Sequence, residues 1–315
     1  MKISDIVDLI TDMEERSWED AIPPEERTGG PSAMGNSKWQ VFKQCPYLYQ
    51  LMFIRRYERK RKSDALELGG FFHEMMAQYF LKDMELRALD YKVPELTIYH
   101  ESKLAAFEVA HKVEKIAPGL AAEGTRLFKA WQVLNGRKTV GYDTDRTMFI
   151  ENLAEVHKPF HYSCRFDRVL RSKEGRNRAA PTTVILQDHK TARMYTDRLV
   201  AAYKIDAQFI GQKWLWDQVY AKKYGEVEYV EVNLITKTDS VRVEPIQIYI
   251  TDTLVNDWLY EMKDLNRELK FRMQNTRRRW PRRRTYRCQF CDAFDHCASA
   301  GASLSGWRKK APGAW

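Results

Sequence analysis

Residues 183–190 read TVILQDHK, and this stretch decides how the rest of the chain is interpreted. Its apolar half is typical of a buried β-strand, and its polar half follows directly at the strand's end. Because side chains alternate along a strand, we expect Asp188 and Lys190 on one face and His189 on the other. An acid and a lysine two residues apart at the end of a buried strand form a candidate catalytic pair.

A second acid, Asp167, ends another strand-like run about twenty residues upstream. Two carboxylates and a lysine on adjacent strands are the residue types of a metal-dependent phosphodiesterase site. The carboxylates hold a divalent cation that polarises the phosphate and its water, and the lysine positions or activates that water. The sequence therefore predicts that the chemistry lies around Asp167, Asp188 and Lys190.

The composition bounds the class of protein. The chain has 315 residues, of which 44% are hydrophobic, enough for a large buried core. No apolar run reaches the length of a membrane span, and the first residues carry acids where a signal peptide has an apolar core. We expect a soluble, cytoplasmic protein without a membrane partner.

The positive charge is concentrated in one place. The formal net charge is +9, and residues 276–287 hold seven arginines and no acid. A local excess of this size predicts a docking site for a polyanion, and the alternative is a solvated basic tail.

The periodicity predicts an α/β fold with a helical insertion. Helical spacing covers residues 2–17, 65–87, 100–117, 120–135, 197–223 and 252–273, with a further short helix capped by Ser37; strand patterns cover 148–150, 161–170, 183–187, 227–235 and 241–250. We expect one integrated domain made of an N-terminal segment (1–63), a helical region (64–145), a core (146–275) and a cysteine-containing end (276–315).

The five cysteines of a chain expected in a reducing compartment indicate metal or cluster ligation more than disulfides. Cys288, Cys291 and Cys297 form a C-x2-C-x5-C pattern. The missing fourth ligand is either His296, which would make a local zinc site, or Cys45, which would link the two ends of the chain. Cys164 is expected to be a core thiol.

Two helical segments carry further candidates. His73 lies four residues after Gly69, whose missing side chain would let a strand or a ligand approach; the alternative is a structural histidine. Gln208, Gln212 and Trp216 recur on one helical face. They belong either to an ordinary amphipathic helix or to a site in which Gln208 bonds a DNA phosphate or a catalytic side chain.

Together these features resemble the PD-(D/E)XK nuclease superfamily and, within it, the RecB-like branch that carries an iron–sulfur cluster. The motif order of that branch is Cys-Pro, G-x-x-x-H, a strand aspartate, D/E-x-K, a glutamine helix and C-x2-C-x5-C. The matching residues are Cys45-Pro46, Gly69 with His73, Asp167, Asp188 with Lys190, Gln208, and Cys288, Cys291 and Cys297. The resemblance implies a mixed central sheet flanked by helices, with a C-terminal cluster region.

The resemblance also implies cofactors and roles. Mg2+ or Mn2+ would be held by His73, Asp167, Asp188 and the backbone carbonyl of His189, while Lys190 would orient the water. Cys45 would be the fourth ligand of a [4Fe–4S] cluster. The expected DNA contacts are Arg55, Arg56, Tyr57, Gln212, Arg277, Arg278, Trp280, Arg282 and Arg283.

The sequence departs from the family pattern at two motif positions. Cys164 stands where the first acidic strand usually has glycine, and Gln212 stands where an aromatic residue is expected, so a shifted pairing of Gln212 with Trp216 is the alternative. Residues 87–145 match no motif.

The function implied is a DNA exonuclease acting at DNA ends in recombination, repair or phage DNA processing. The alternative is a non-catalytic iron–sulfur or zinc DNA-binding subunit of a larger recombination or replication complex. A helicase partner would be a separate chain, because no Walker motif is present. A homo-oligomer is compatible with the sequence.

Overall fold

The structure is a computed structural model that describes residues 34–59, 63–89, 93–139, 145–172, 184–238, 241–275, 277, 279–291, 293–299, 304 and 307–309. The helix predicted at residues 2–17 and the predicted DNA contact Arg278 lie outside these residues. Within the described part of the chain, no helix has both the length and the apolar character needed to cross a membrane.

Helices precede the main sheet. They and one short strand are α1 (Asn36–Gln44), α2 (Pro46–Tyr49) with a π-helical turn (Gln50–Ile54), β1 (Tyr57–Arg59), α3 (Asp64–Ala88), α4 (Glu95–Glu114) and α5 (Pro118–Thr139). The remaining elements are β2 (Asp145–Val156), β3 (Tyr162–Ser172), β4 (Val184–Ala192), α6 (Asp197–Tyr203), α7 (Ala207–Val219), α8 (Ala221–Tyr224), β5 (Val227–Thr236), β6 (Val243–Ile248), α9 (Asp252–Met273), a 3-10 turn (Tyr286–Phe290), α10 (Phe294–Ala298) and β7 (Trp307–Lys309).

The central sheet is mixed. Its strand order is β2-β3-β4-β5-β6, in which β4 and β5 run parallel and every other neighbouring pair is antiparallel. The parallel pair needs a crossover connection, and α6–α8 supply it between the two strands. The predicted α/β class with a mixed central sheet flanked by helices is confirmed.

The two faces of the sheet bury different cores. On one face, aromatic residues of α7 and α9, such as Trp216 and Trp258, pack against strand residues such as Phe166. On the other face, α3–α5 form their own aromatic cluster, and Ile150 of β2 and Ile235 of β5 join it. The sheet is therefore packed between two hydrophobic layers, one on each face.

Two local predictions are wrong. Ser37 does not cap the first helix, because α1 begins at Asn36 with Gly35 as its N-cap and without a side-chain cap. The helix predicted at residues 197–223 is divided into α6, α7 and α8. Asp206 explains the first division, because its carboxylate accepts from the Gln208 backbone N–H at 2.8 Å and starts a new helix.

The two ends of the described chain meet. β1 pairs antiparallel with β7, so that Tyr57 lies opposite Lys309. The Tyr47 hydroxyl and His296 Nε2 share a hydrogen bond of 2.8 Å, and the Gln50 side chain accepts from the Trp280 backbone N–H at 3.1 Å. These contacts join the N-terminal helices to the segment after α9.

Gly211→Ala should lower the free energy of unfolding by about 1–3 kcal/mol, because overpacking a closed core forces side chains out of position. A Cβ at Gly211 would lie 2.1 Å from the Tyr162 hydroxyl, and Tyr162 is fully buried. The measurement is urea unfolding followed by circular dichroism. Gly119→Ala is the control: its Cβ meets nothing within 4 Å, so this change in a helix should be neutral or stabilising by up to about 1 kcal/mol. Equal stability of the Gly211→Ala protein and the wild type would contradict the close approach of α7 to β3.

Candidate active site

The candidate site opens where β3 and β4 part. Their ladder includes four pairs and ends, on this side, at Arg168 opposite Gln187. Asp167 and Asp188 are the next residues along the two strands. β4 remains paired with β5 as far as Ala192, so the free edge of β4 faces the gap. The two acids therefore stand at the mouth of a notch between the strands.

Asp167 is bound from two directions. His73 of α3 places Nδ1 3.2 Å from Asp167 Oδ2, and the backbone N–H of His189 donates to the same oxygen at 3.0 Å. Burial lowers the pKa of His73, but the neighbouring Asp167 carboxylate outweighs this and raises the pKa to about 9. Burial alone would raise the pKa of Asp167, yet His73 and Lys190 hold it below its usual range. Both shifts favour the charged forms of His73 and Asp167, so the two side chains form an ion pair.

Asp188 is bound by a different pair of donors. Lys190 Nζ lies 2.6 Å from Asp188 Oδ2, and Gln208 Nε2 donates to Asp188 Oδ1 at 2.8 Å. Burial raises the pKa of Asp188, although the charge of Lys190 opposes the shift. Burial would lower the pKa of Lys190, but Asp188 and Asp167 outweigh it and raise that pKa. Lys190 and Gln208 thus contact different oxygens of Asp188, a predicted catalytic residue.

His189 points to the opposite face of β4, as the alternation predicts. Its ring is 1% exposed and stacks on Phe80 with centroids 5.9 Å apart. Burial lowers its pKa to about 3, so the ring is neutral. β4 also approaches α3 at Gly69, where an added Cβ would lie 3.7 Å from Thr191 Oγ1. That distance is an ordinary contact, so alanine would fit there and the glycine is not required by space.

Sequence reasoning missed Glu151. One ligand atom each from His73, Glu151 and Asp167 lie within 4.8 Å of one another, a spacing that would suit a metal ion. Burial, followed by the Asp167 charge, raises the pKa of Glu151 to about 8. The available signal was an acid directly after the apolar triplet of residues 148–150, but periodicity alone does not place it opposite Asp167.

The remaining face of α7 belongs to the core. Gln212 is 3% exposed, and Trp216 is completely buried, with its indole N–H donating to the Gly225 carbonyl at 2.9 Å. The predicted DNA contact of Gln212 is therefore wrong, and so is the shifted pairing of Gln212 with Trp216, because neither side chain reaches the surface.

The arginine-rich segment is divided between surface and interior. Trp280 is 3% exposed and stacks on Tyr49 with centroids 6.1 Å apart, so the prediction that it stacks on exposed bases is wrong. Arg282 donates to the Cys297 carbonyl at 2.9 Å, and Arg283 donates to the Glu268 carboxylate at 3.0 Å. These two arginines hold the C-terminal segment in place.

Other predicted DNA contacts are at the surface. Arg55, Arg56 and Arg277 are exposed, and Arg56 has a φ of 60°. Tyr57 is half-buried in β1 and packs against a small cluster that includes Trp307. The exposed arginines can meet a polyanion in this conformation, whereas Tyr57 contributes mainly to packing.

The four cysteines of the predicted cluster lie near one another. Burial raises the pKa of both Cys291 and Cys297, and the charges of Cys45 and Cys288 contribute to both shifts. Among the described residues, however, these thiols do not form a group with ligand atoms within 4.8 Å of one another. Cys164 is buried in the main core, as predicted.

Gln208→Leu should lower the free energy of unfolding of the metal-free protein by about 1.5–3 kcal/mol, because it removes a hydrogen bond to a buried carboxylate. Combining it with Asp188→Ala should cost less than the sum of the two single changes, since both remove the same contact. Urea unfolding measures the free energy of unfolding of the two single variants and of the double variant. Gln247→Leu on β6, where the side chain is exposed, should change little. Additive effects of Gln208→Leu and Asp188→Ala would contradict the contact.

Comparisons with known proteins assign the chain to a family. No curated protein matches the chain in sequence. A solved structure from Eubacterium rectale with a provisional exonuclease assignment is 13% identical, covers 84% of this chain and 87% of its own, and has a TM-score of 0.48. A second, named SSO0001, is 16% identical, covers 58% of this chain and 82% of its own, and has a TM-score of 0.25. The family model described as the PD-(D/E)XK nuclease superfamily matches residues 34–298, most of the sequence, and the chain belongs to that superfamily.

Proposed function

We propose that this protein is a metal-dependent deoxyribonuclease that hydrolyses phosphodiester bonds at DNA ends. The observation that carries the proposal is the meeting of Asp167, Asp188 and Lys190 where β3 and β4 part, with Lys190 Nζ 2.6 Å from Asp188. Membership of a nuclease superfamily supports the reaction class. A role in recombination, repair or phage DNA processing follows from the motif order and is part of the proposal.

The residues of the site fit a divalent cation. His73, Asp167, Asp188 and the His189 backbone carbonyl would hold Mg2+ or Mn2+, because carboxylate and carbonyl oxygens are the ligands that these hard cations prefer. The side chains of His73 and Asp167 are 30% and 15% exposed, so the site is open to an ion and to a phosphate. When bound, the cation supplies Lewis acidity to the phosphate and lowers the pKa of a bound water.

The protein's own residues supply orientation and charge. Lys190, whose Nζ lies 2.6 Å from Asp188 Oδ2, can orient a water and stabilise negative charge that develops on the phosphate. Gln208 fixes the Asp188 carboxylate through one oxygen, which leaves the other oxygen beside Lys190. The N–H of His189 fixes Asp167 in the same way. Each acid is therefore pre-oriented before substrate binds.

Lys190→Ala should reduce cleavage about a thousandfold, the effect of losing a single preorganised donor, while Mn2+ binding is kept. Single-turnover digestion of end-labelled single- and double-stranded linear DNA measures the rate, and isothermal titration measures Mn2+ binding. Closed circular DNA should resist the wild type if ends are required.

The matched control is Lys222→Ala, which removes an exposed lysine of α8 and should cleave at the wild-type rate. Cleavage by Lys190→Ala at the wild-type rate would remove Lys190 from the mechanism.

We also propose that Cys45, Cys288, Cys291 and Cys297 hold a [4Fe–4S] cluster. A single zinc ion with thiolates about 2.3 Å away needs sulfur atoms about 3.8 Å apart, and the cysteines are not grouped that closely. The support for a cluster is the C-x2-C-x5-C pattern with an upstream Cys-Pro, the motif set of the iron–sulfur branch that this sequence resembles. His296 supports Cys45 as the fourth ligand, because its Nε2 already bonds the Tyr47 hydroxyl at 2.8 Å.

Cys291→Ala and Cys45→Ala should each abolish iron binding, because a cluster that loses one of four thiolate ligands is not retained. Anaerobically purified wild-type protein should be brown, with iron and sulfide in equal amounts. Cys164→Ala, at the buried cysteine of the main core, is the control and should keep the iron. Colourless wild-type protein that contains zinc would replace the cluster with a zinc site.

A further inference from the structure

Glu151 occupies an unusual backbone position directly across from a predicted metal ligand. In the ladder between β2 and β3, Ile150 lies opposite Arg168 and Asn152 lies opposite Phe166, so Glu151 stands across from Asp167. Its φ is 48°, in the left-handed region that residues other than glycine seldom adopt.

This backbone conformation interrupts the alternation of β2. Ile150 joins the core formed by α3–α5, whereas Asn152 donates to the Tyr220 hydroxyl at 2.8 Å, on the side of α7 and α8. Glu151 lies between them, next to His73 and Asp167. The left-handed residue thus lies where the alternation of β2 breaks, and its carboxylate lies beside His73 and Asp167.

The charges around Glu151 favour the binding of a cation. Its side chain is 12% exposed and shares a space with the Asp167 carboxylate, while Arg165 Nε lies 3.8 Å from Glu151 Oε2. Two desolvated carboxylates side by side repel each other. Arg165 and the His73 imidazole, which lies 3.2 Å from Asp167, offset part of this repulsion, and a divalent cation bound by both carboxylates would offset it further.

We propose that Glu151 is a further ligand of the divalent cation, on the side of the site where His73 and Asp167 lie. Two carboxylates and one imidazole suit Mn2+ or Mg2+. Asp188, which is held by Lys190 and Gln208, closes the opposite side of the notch. This inference rests on the proposed nuclease function, since it adds a ligand to the same metal site.

A purely structural Glu151 would behave differently from a ligand. If its role were to pair with Arg165, removing its charge would destabilise the metal-free protein and leave Mn2+ affinity unchanged. If Glu151 is a ligand, Glu151→Gln relieves repulsion with Asp167, so the metal-free protein keeps its melting temperature or gains. The increase in melting temperature that Mn2+ produces is then smaller, because a ligand that binds more weakly stabilises the folded protein less.

The experiment compares Glu151→Gln and Glu151→Asp with Glu228→Gln, whose glutamate is exposed on β5. All proteins, including the reference, carry His157→Ala and His161→Ala, because Glu155, His157 and His161 form a second, outlying group with ligand atoms within 4.8 Å. Isothermal titration with Mn2+ and thermal unfolding with and without Mn2+ are the two measurements.

We expect Glu151→Gln to weaken Mn2+ binding at least about tenfold, since even residues that only support a ligand change affinity by about 10–100-fold. Glu151→Asp should lose less Mn2+ affinity, because it keeps the charge and only shortens the side chain by one methylene group. Glu228→Gln should bind Mn2+ with the affinity of the reference. Unchanged Mn2+ affinity in Glu151→Gln overturns the assignment. If that variant does not fold, reference-level affinity in Glu151→Asp overturns it.

The failure of this inference is distinguishable from failure of the proposed function. A reference protein that neither binds Mn2+ nor cuts DNA overturns both. A reference protein that binds and cuts, an inactive Asp188→Asn variant and a Glu151→Gln variant with reference affinity together overturn only the role of Glu151.

Discussion

Compensation of buried charge at the parting of β3 and β4 is the constraint on which the site depends. A carboxylate taken out of water needs a partner or hydrogen-bond donors. Asp167 has His73 and the His189 N–H, and Asp188 has Lys190 and Gln208. Because each acid is matched separately, the notch keeps its shape before a cation arrives, and binding does not have to assemble it.

These partners come from both sides of the sheet. His73 lies on α3, which belongs to the core of the helical region, and Gln208 lies on α7, which packs into the main core. β4 passes between them and presents Asp188 towards α7 and His189 towards α3. Packing in the core of the helical region therefore sets the position of one partner of Asp167, and packing in the main core sets the position of one partner of Asp188. Although α4 and α5 match no motif, they bear on the site because they pack against α3.

The sequence predicted those parts of the site that local periodicity determines. Asp188 and Lys190 share a face because side chains alternate along a strand, and this alternation alone is enough to predict it. Glu151 was not predicted because its position depends on the strand register and on its own left-handed backbone conformation. Neither feature can be recognised from the periodicity of the sequence. Trp280 and Gln212 were misassigned for the converse reason: charged or polar neighbours in sequence suggested a surface, whereas tertiary packing buried both side chains.

The basic segments show how tertiary structure changes the meaning of a charge count. Trp280, Arg282 and Arg283 are committed to contacts within the protein, so the arginine run offers less free charge than its composition suggests. The same contacts, however, bring it to the other basic segment. The Gln50 side chain accepts from the Trp280 N–H, and the Gln50 carbonyl accepts from the Arg55 N–H at 2.8 Å. The backbones of two segments that carry exposed arginines, more than two hundred residues apart in sequence, are therefore held together through Gln50.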